Sequence, residues 1–223
     1  DAGRGAVVDY HDKHPVDHYT INAGAVAAQL FLDVYEHFGT EADLERATAL
    51  LDHVADLQTE LGGWKYRDPP SASHLSMDTH HNGFIIEAFQ RYRGVTGSDR
   101  YDEVLETALS FFRDRLFEPD GAPNFDETDS YPRDIHASTQ GVVVFTLAGE
   151  LDFARRILQW VFDNLHAGSG QFYYRKERYF TRRVTLMRWC EAWMAYATGL
   201  YLAARAVSLE DPSRQPSPGT IEI

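Results

Sequence analysis

Two short stretches of the chain place Asp and His side chains at matching positions. Asp78, His80, His81 and Asn82 precede Gly83 and the apolar run Phe84-Ile85-Ile86, while Tyr131-Pro132-Arg133-Asp134-Ile135-His136 is followed one turn later by Gln140. An Asp at a helix start can cap the free backbone N–H groups. A His in the first turn meets the positive end of the peptide dipole, which favours an anion and the neutral imidazole. This suits acid–base chemistry, with Asp78, His80, Asp134 and His136 as candidate catalytic groups and His81, Asn82 and Gln140 as candidate substrate contacts. Carboxylates and imidazoles gathered around one mouth adjust one another's proton affinity. The plain alternative is that these are repeated structural caps beside packed histidines.

The densest constellation lies further on: Phe172-Tyr173-Tyr174-Arg175-Lys176, then Tyr179-Phe180-Thr181-Arg182-Arg183, then Met187-Arg188-Trp189 through Trp193. Guanidinium groups offer a planar fork to carboxylate or phosphate, and aromatic faces stack on the apolar faces of sugars. Tyr174 joins the candidate catalytic groups as a proton carrier, and Arg175, Arg183, Arg188 and Trp189 the binding groups. Trp64 and Tyr66, following the Gly62-Gly63 pair, form either a sugar-stacking platform or a plug at the end of a helical barrel. Glu191, three residues after Arg188, reads as its local salt-bridge partner.

Other chemistries lack their motifs. Ten histidines are present, and His11, His14, His18 and His74 fall toward the same end as His80, His81 and His136. No HxxxH with a nearby Glu sits on a predicted helix, so no metal and no cofactor is expected. Neither a phosphate-cradling loop, nor a dinucleotide fingerprint, nor a Ser nucleophile elbow, nor an Asp-rich diphosphate motif occurs. The net charge of -13 argues against nucleic acid as a partner, because phosphates call for clustered cations. Lys13, Lys65 and Lys176 are the only lysines among 21 basic residues, a composition that fits a high-salt cytoplasm or a GC-rich genome. The single Cys190 rules out an intrachain disulfide and is compatible with a reducing, cytoplasmic setting. No apolar run approaches the roughly 20 residues of a membrane span.

The elements that must position these groups are helices. Apolar residues recur at helical spacing, and no segment sustains the alternation of a strand, so the chain reads as all-α. The spacing predicts helices over 21–37, 41–61, 80–94, 99–117, 136–148, 152–166 and 187–206. Gly39, Gly62, Gly97 and Gly168 fall where C-terminal caps belong, and Thr40 and Ser98 where N-caps belong. Tight connections at Gly39-Thr40, Thr96-Gly97-Ser98 and Gly149-Glu150 alternate with long ones at 62–79, 118–135 and 167–186, so the long loops share one end, as functional loops do. The period is near 55 residues: Asp17-His18, Asp78-Thr79-His80 and Asp134-Ile135-His136 each open a helix, and Gly63-Trp64, Gly121 to Phe125 and Gly170 to Phe172 echo one another in the loops. One domain over 1–206 and a loose tail over 207–223, rich in Pro, Ser and Gly toward its end, follow from this pattern.

The hairpin repeat, with its Gly-aromatic loops and Asp/His helix starts, resembles the α/α-toroid, or six-hairpin glycosidase-like, superfamily over roughly Asp17 to Leu202. The stretch from Tyr131 to Tyr196 is similar to proteins encoded in surface-polysaccharide gene clusters, through Tyr131-Pro132-Asp134-Ile135-His136, Arg175-Lys176-Tyr179-Phe180 and Met187-Arg188-Trp189-Ala192-Trp193. A complete toroid has more helices than the seven read here, which implies an arc or further helices upstream, and the start at Asp1 rather than Met agrees with a trimmed chain. The resemblance implies a cup holding an acidic, uronic-acid-containing oligosaccharide or polysaccharide. Three activities fit such a cup: glycoside hydrolysis by paired carboxylates, lyase or epimerase chemistry through Tyr174 and His136, and glycan binding or assembly without turnover.

Overall fold

A computed structural model describes residues 5–10 and 17–210. His11, His14 and the tail from Asp211 onward therefore lie outside the described residues. The chain forms two compact units, Asp1–Phe111 and Phe112–Ile223.

In the first unit, α1 (Ile21–Phe38) packs on α2 (Glu41–Asp56) and α3 (Thr79–Thr96). Helix α4 (Asp102–Leu116) follows and carries the chain across the unit boundary. In the second unit, α5 (Ile135–Leu147) packs on α6 (Leu151–Asn164) and α7 (Trp193–Glu210). A π-helical turn over Met187–Ala192 leads directly into α7. Burial divides the helices as their sequences dictate. Helix α5 is buried on every side from Ile135 to Thr146, with an apolar run at Val142–Phe145 and the polar His136, Ser138, Thr139, Gln140 and Thr146 buried alongside it. Its neighbour α6 buries one stripe, with Leu151, Ala154, Ile157, Leu158 and Val161 at three- and four-residue spacing. Close approach of helices shows at Gly141, where an added Cβ would lie 2.3 Å from Phe117 Cζ and 3.0 Å from Ile157 Cδ1.

Several boundaries differ from the periodicity. Gly39 and Gly97 do end α1 and α3 in left-handed geometry. Gly62 and Gly168 do not cap: α2 and α6 stop at Asp56 and Asn164, and Gly62 instead closes a turn by donating its N–H to Thr59 O. Thr40 is an N-cap without a side-chain hydrogen bond, and the Ser98 hydroxyl accepts from Arg100 N ahead of α4. The expected helix start at Asp17-His18 is replaced by β1 (Tyr19–Thr20), which pairs antiparallel with β2 (Arg67–Asp68).

The long loops owe their resemblance to backbone hydrogen bonding. Each folds back on the end of the preceding helix, through Thr59 N to Gly63 O, Glu118 N to Ala122 O and Ala167 N to Gln171 O. This return hides Trp64 and Phe172 in the core. Beyond it the loops add short strands: β3 (Arg133–Asp134), β4 (Arg175–Lys176) and β5 (Thr181–Arg182) form one small antiparallel sheet in the order β3-β4-β5. Among the described residues the strands thus lie in the segments ahead of α1, α3, α5 and the π-helical turn.

Candidate functional site

In the first unit the site is built on the first turn of α3. Asp78 is the N-cap, with its carboxylate accepting from His81 N at 3.0 Å. His81 stands at the third helical position, so its ring curls back to the cap, and its Nδ1 lies 2.8 and 2.9 Å from the two Asp78 oxygens. With Nδ1–H donating to the carboxylate, the Nε2 lone pair is left to take a proton. The Asp78 side chain is 5% exposed and that of His81 22%, so the carboxylate is sheltered while the imidazole remains reachable.

Tyr66, from the loop ahead of α3, lies against this pair with its ring 4.6 Å from that of His81. Burial, reinforced by the nearby Tyr10 and by the Asp78 carboxylate, pushes its phenol above the usual tyrosine range, so it keeps its proton. The Arg67 guanidinium sits 5.5 Å over the Tyr66 ring, and its Nε is buried without a hydrogen-bond partner. His74 completes the surround, edge-on to Tyr66 at 5.0 Å. An imidazole base, a protonated phenol and a guanidinium are therefore collected in one place.

The structure corrects several sequence-based roles here. The ring that meets Asp78 is that of His81, expected as a substrate contact, whereas His80 is the one expected among the catalytic groups. At the second helical position its ring instead turns to Phe84, 4.8 Å away, and lies beside His81. Trp64 is 1% exposed, donates Nε1–H to Val54 O and stacks on Phe89, so it is a core plug rather than a sugar platform. Asn82, also buried, ties that plug to the helix. It accepts from Trp64 N at 2.8 Å and donates to Trp64 O and Asp78 O, leaving no group for a ligand.

In the second unit Asp134 is again an N-cap, accepting from His136 N at 2.7 Å and Ala137 N at 3.3 Å. Here the ring one position earlier follows a different course. His136 is buried between Trp189 and Trp193, with ring centroids 5.5 and 5.4 Å away, and its Nε2 is shut off from solvent. That makes it a packed imidazole and removes it as a reachable base. Gln140 is fully buried one turn further along α5 and does not reach a binding surface either. The π-helical turn also undoes the predicted Arg188–Glu191 pair, since three-residue spacing there no longer stacks side chains. Glu191 Oε1 instead accepts from Phe172 N.

Tyr174 and the arginines remain at the surface. Tyr174, half-buried, is held above the usual tyrosine range by burial and by the Asp134 carboxylate, against the pull of Arg175. Three guanidinium groups lie over aromatic rings: Arg175 over Tyr174 at 5.1 Å, Arg183 over Tyr173 at 5.9 Å and Arg188 over Trp189 at 5.8 Å. Arg175 is anchored to Glu177, whereas Arg183 and Arg188 are exposed.

No family model and no curated protein matches the chain by sequence. Solved structures do match in three dimensions. Cellobiose 2-epimerase from Spirochaeta thermophila DSM 6192 superposes with a TM-score of 0.71 at 13% identity, covering 97% of this chain and 60% of that one. An unsaturated glucuronyl hydrolase specific for heparin gives 0.71 at 15% identity, covering 92% and 65%. The chain has the α/α-toroid fold. An inactive α-1,6-mannanase variant of Salegentibacter sp. HEL1_6, in complex with α-1,6-mannotriose, has the same toroid fold, with a TM-score of 0.63 at 15% identity over 87% and 56% of the two chains. The chain spans about three-fifths of the length of these toroid proteins. No helix among the described residues is long and apolar enough to cross a membrane.

Proposed function

We propose that this protein is a carbohydrate-active enzyme that moves a proton on an acidic saccharide, in the manner of an epimerase or lyase. The observation that carries this reading is the Asp78–His81 pair: a sheltered carboxylate holding Nδ1 and leaving Nε2 reachable. In this scheme His81 Nε2 takes a proton from a carbon beside a carbonyl or carboxylate. Arg67 balances the negative charge that develops, and Tyr66, whose phenol stays protonated, returns a proton. A positioned acid–base group of this kind contributes roughly 100- to 10,000-fold in rate. Solved neighbours that act on cellobiose, α-mannans and unsaturated glucuronides make a saccharide the natural substrate class. The exposed Arg183 and Arg188, beside aromatic rings in the second unit, support an acidic one. Two-carboxylate hydrolysis is less well served, because Asp78 and Asp134 both already accept backbone N–H groups.

The test is to incubate the protein with uronic-acid oligosaccharides in D2O and follow the sugar C–H signals by NMR. Deuterium entry at carbon, for an epimerase, or an unsaturated uronate end, for a lyase, abolished in His81→Gln with helix content unchanged, is the expected result. New reducing ends with neither deuterium entry nor an unsaturated end, at the same rate in His81→Gln, would replace this reading with hydrolysis.

A further inference from the structure

The hairpin formed by β4 and β5 carries features that the proton-transfer chemistry does not use. Its strands pair Arg175 with Arg182 and Lys176 with Thr181, and Glu177 N donates to Phe180 O across the turn. Side chains on one face are clamped at the base, since Glu177 Oε1 lies 2.9 Å from Arg175 Nε and 3.4 Å from Arg182 Nε. The base is thus pinned, yet the apolar residues of the tip face solvent: Tyr179 is 88% exposed and Phe180 60%, and Met187, further along the chain, is 84% exposed. Arg178, in the turn, and Arg183 and Arg188, which follow in the chain, are exposed and make no ion pair among the described residues, with Arg183 lying over Tyr173 and Arg188 over Trp189.

Folding alone gives no reason to hold aromatic rings out on a braced hairpin. An exposed stretch of Tyr, Phe, Met and Arg has the composition of a recognition surface. The surface is locally cationic within a chain of net charge -13. A net charge of -13 disfavours contact with a broad anionic surface, whereas a narrow polyanion can engage the basic hairpin alone. Aromatic faces also match the apolar faces of sugar rings.

We infer that the β4–β5 hairpin tip is a subsite for a linear acidic polysaccharide, so that the protein engages polymer rather than short sugars. This rests on the proposed action on acidic saccharides. Polygalacturonate and its trimer serve as probes, with dextran and phosphatidylglycerol vesicles for comparison, each titrated calorimetrically at low and high salt. The polymer binds the wild-type protein in a salt-sensitive manner, and Tyr179→Ala/Phe180→Ala together weaken it roughly tenfold while trimer binding is unchanged. Polymer binding is read calorimetrically and turnover separately by deuterium entry, which separates this subsite from the catalytic reading: lack of turnover leaves the binding result standing. Equal polymer affinity in the double variant, loss of trimer and polymer binding alike, or binding to vesicles in place of polymer overturns the inference.

Discussion

Replacing Asn82 by Ala is expected to unfasten the loop that carries Tyr66 from the helix that carries Asp78 and His81. Asn82 is 1% exposed and makes three side-chain hydrogen bonds, at 2.8 Å from Trp64 N, 3.0 Å to Trp64 O and 2.9 Å to Asp78 O. The Asp78 carbonyl keeps the Asn82 N–H as a partner, but both backbone groups of Trp64 are stranded in a buried position. Each buried polar group left without a partner costs about 1–3 kcal/mol, so the variant loses about 3–5 kcal/mol once the vacated volume is included. For a unit of this size that corresponds to a fall in melting temperature of roughly 10 °C or more. Asn82→Asp preserves the volume and the acceptor for Trp64 N but turns a carboxylate oxygen toward two carbonyls, so it is at least as damaging. Thermal unfolding followed by circular dichroism and by tryptophan fluorescence measures both. A shift of only about 3 °C or less in both variants would refute the reasoning, because it would mean that the loop is held by other contacts.

Two further outcomes follow from the packing and the charges. Gly141→Ala places a methyl group 2.3 Å from Phe117 Cζ between packed helices, and should lower stability by about 1–3 kcal/mol in urea denaturation; an unchanged midpoint would show that the ring can move aside. Tyr101 donates to Asp52 Oδ1 at 2.7 Å, and burial, with Asp52 beside it, raises its phenol above the ordinary value. Its raised folded-state value means that its contribution is fully present below pH about 10 and is lost as pH rises through the folded pKa. Stability should therefore drop more steeply above pH about 10 in the wild type than in Tyr101→Phe, with parallel alkaline melting curves counting against this assignment.

Much of the architecture was legible because it depends on local rules. The period of apolar residues marked the helices, Gly39 and Gly97 marked two of their ends, and the alternation of short and long connections was already visible in the chain. Asp78 and Asp134 were recognisable as caps, since capping needs only an acceptor ahead of a helix. Which histidine answers each cap was not legible in the same way. Asp-x-x-His is the spacing that returns a side chain to its cap, and with adjacent histidines at 80 and 81 it singles out His81; that signal was available but outweighed by the Asp-x-His repeat.

Other roles had no local signature. Trp64 and Trp189 look alike in sequence, each close to basic and aromatic neighbours, yet one is sealed in the core and the other lies partly exposed beside His136. The difference arises from a loop that bonds back to its helix and from a π-helical turn, both products of long-range packing. The sequence by itself determined an all-α chain of hairpins, its caps, its acidic character and its basic aromatic segment, because spacing and charge are carried by the residues themselves. Only the tertiary structure decided that Asp78 holds His81, that His136 and Gln140 are buried, and that the β4–β5 tip faces outward, because burial belongs to the surroundings a residue acquires when distant segments pack around it.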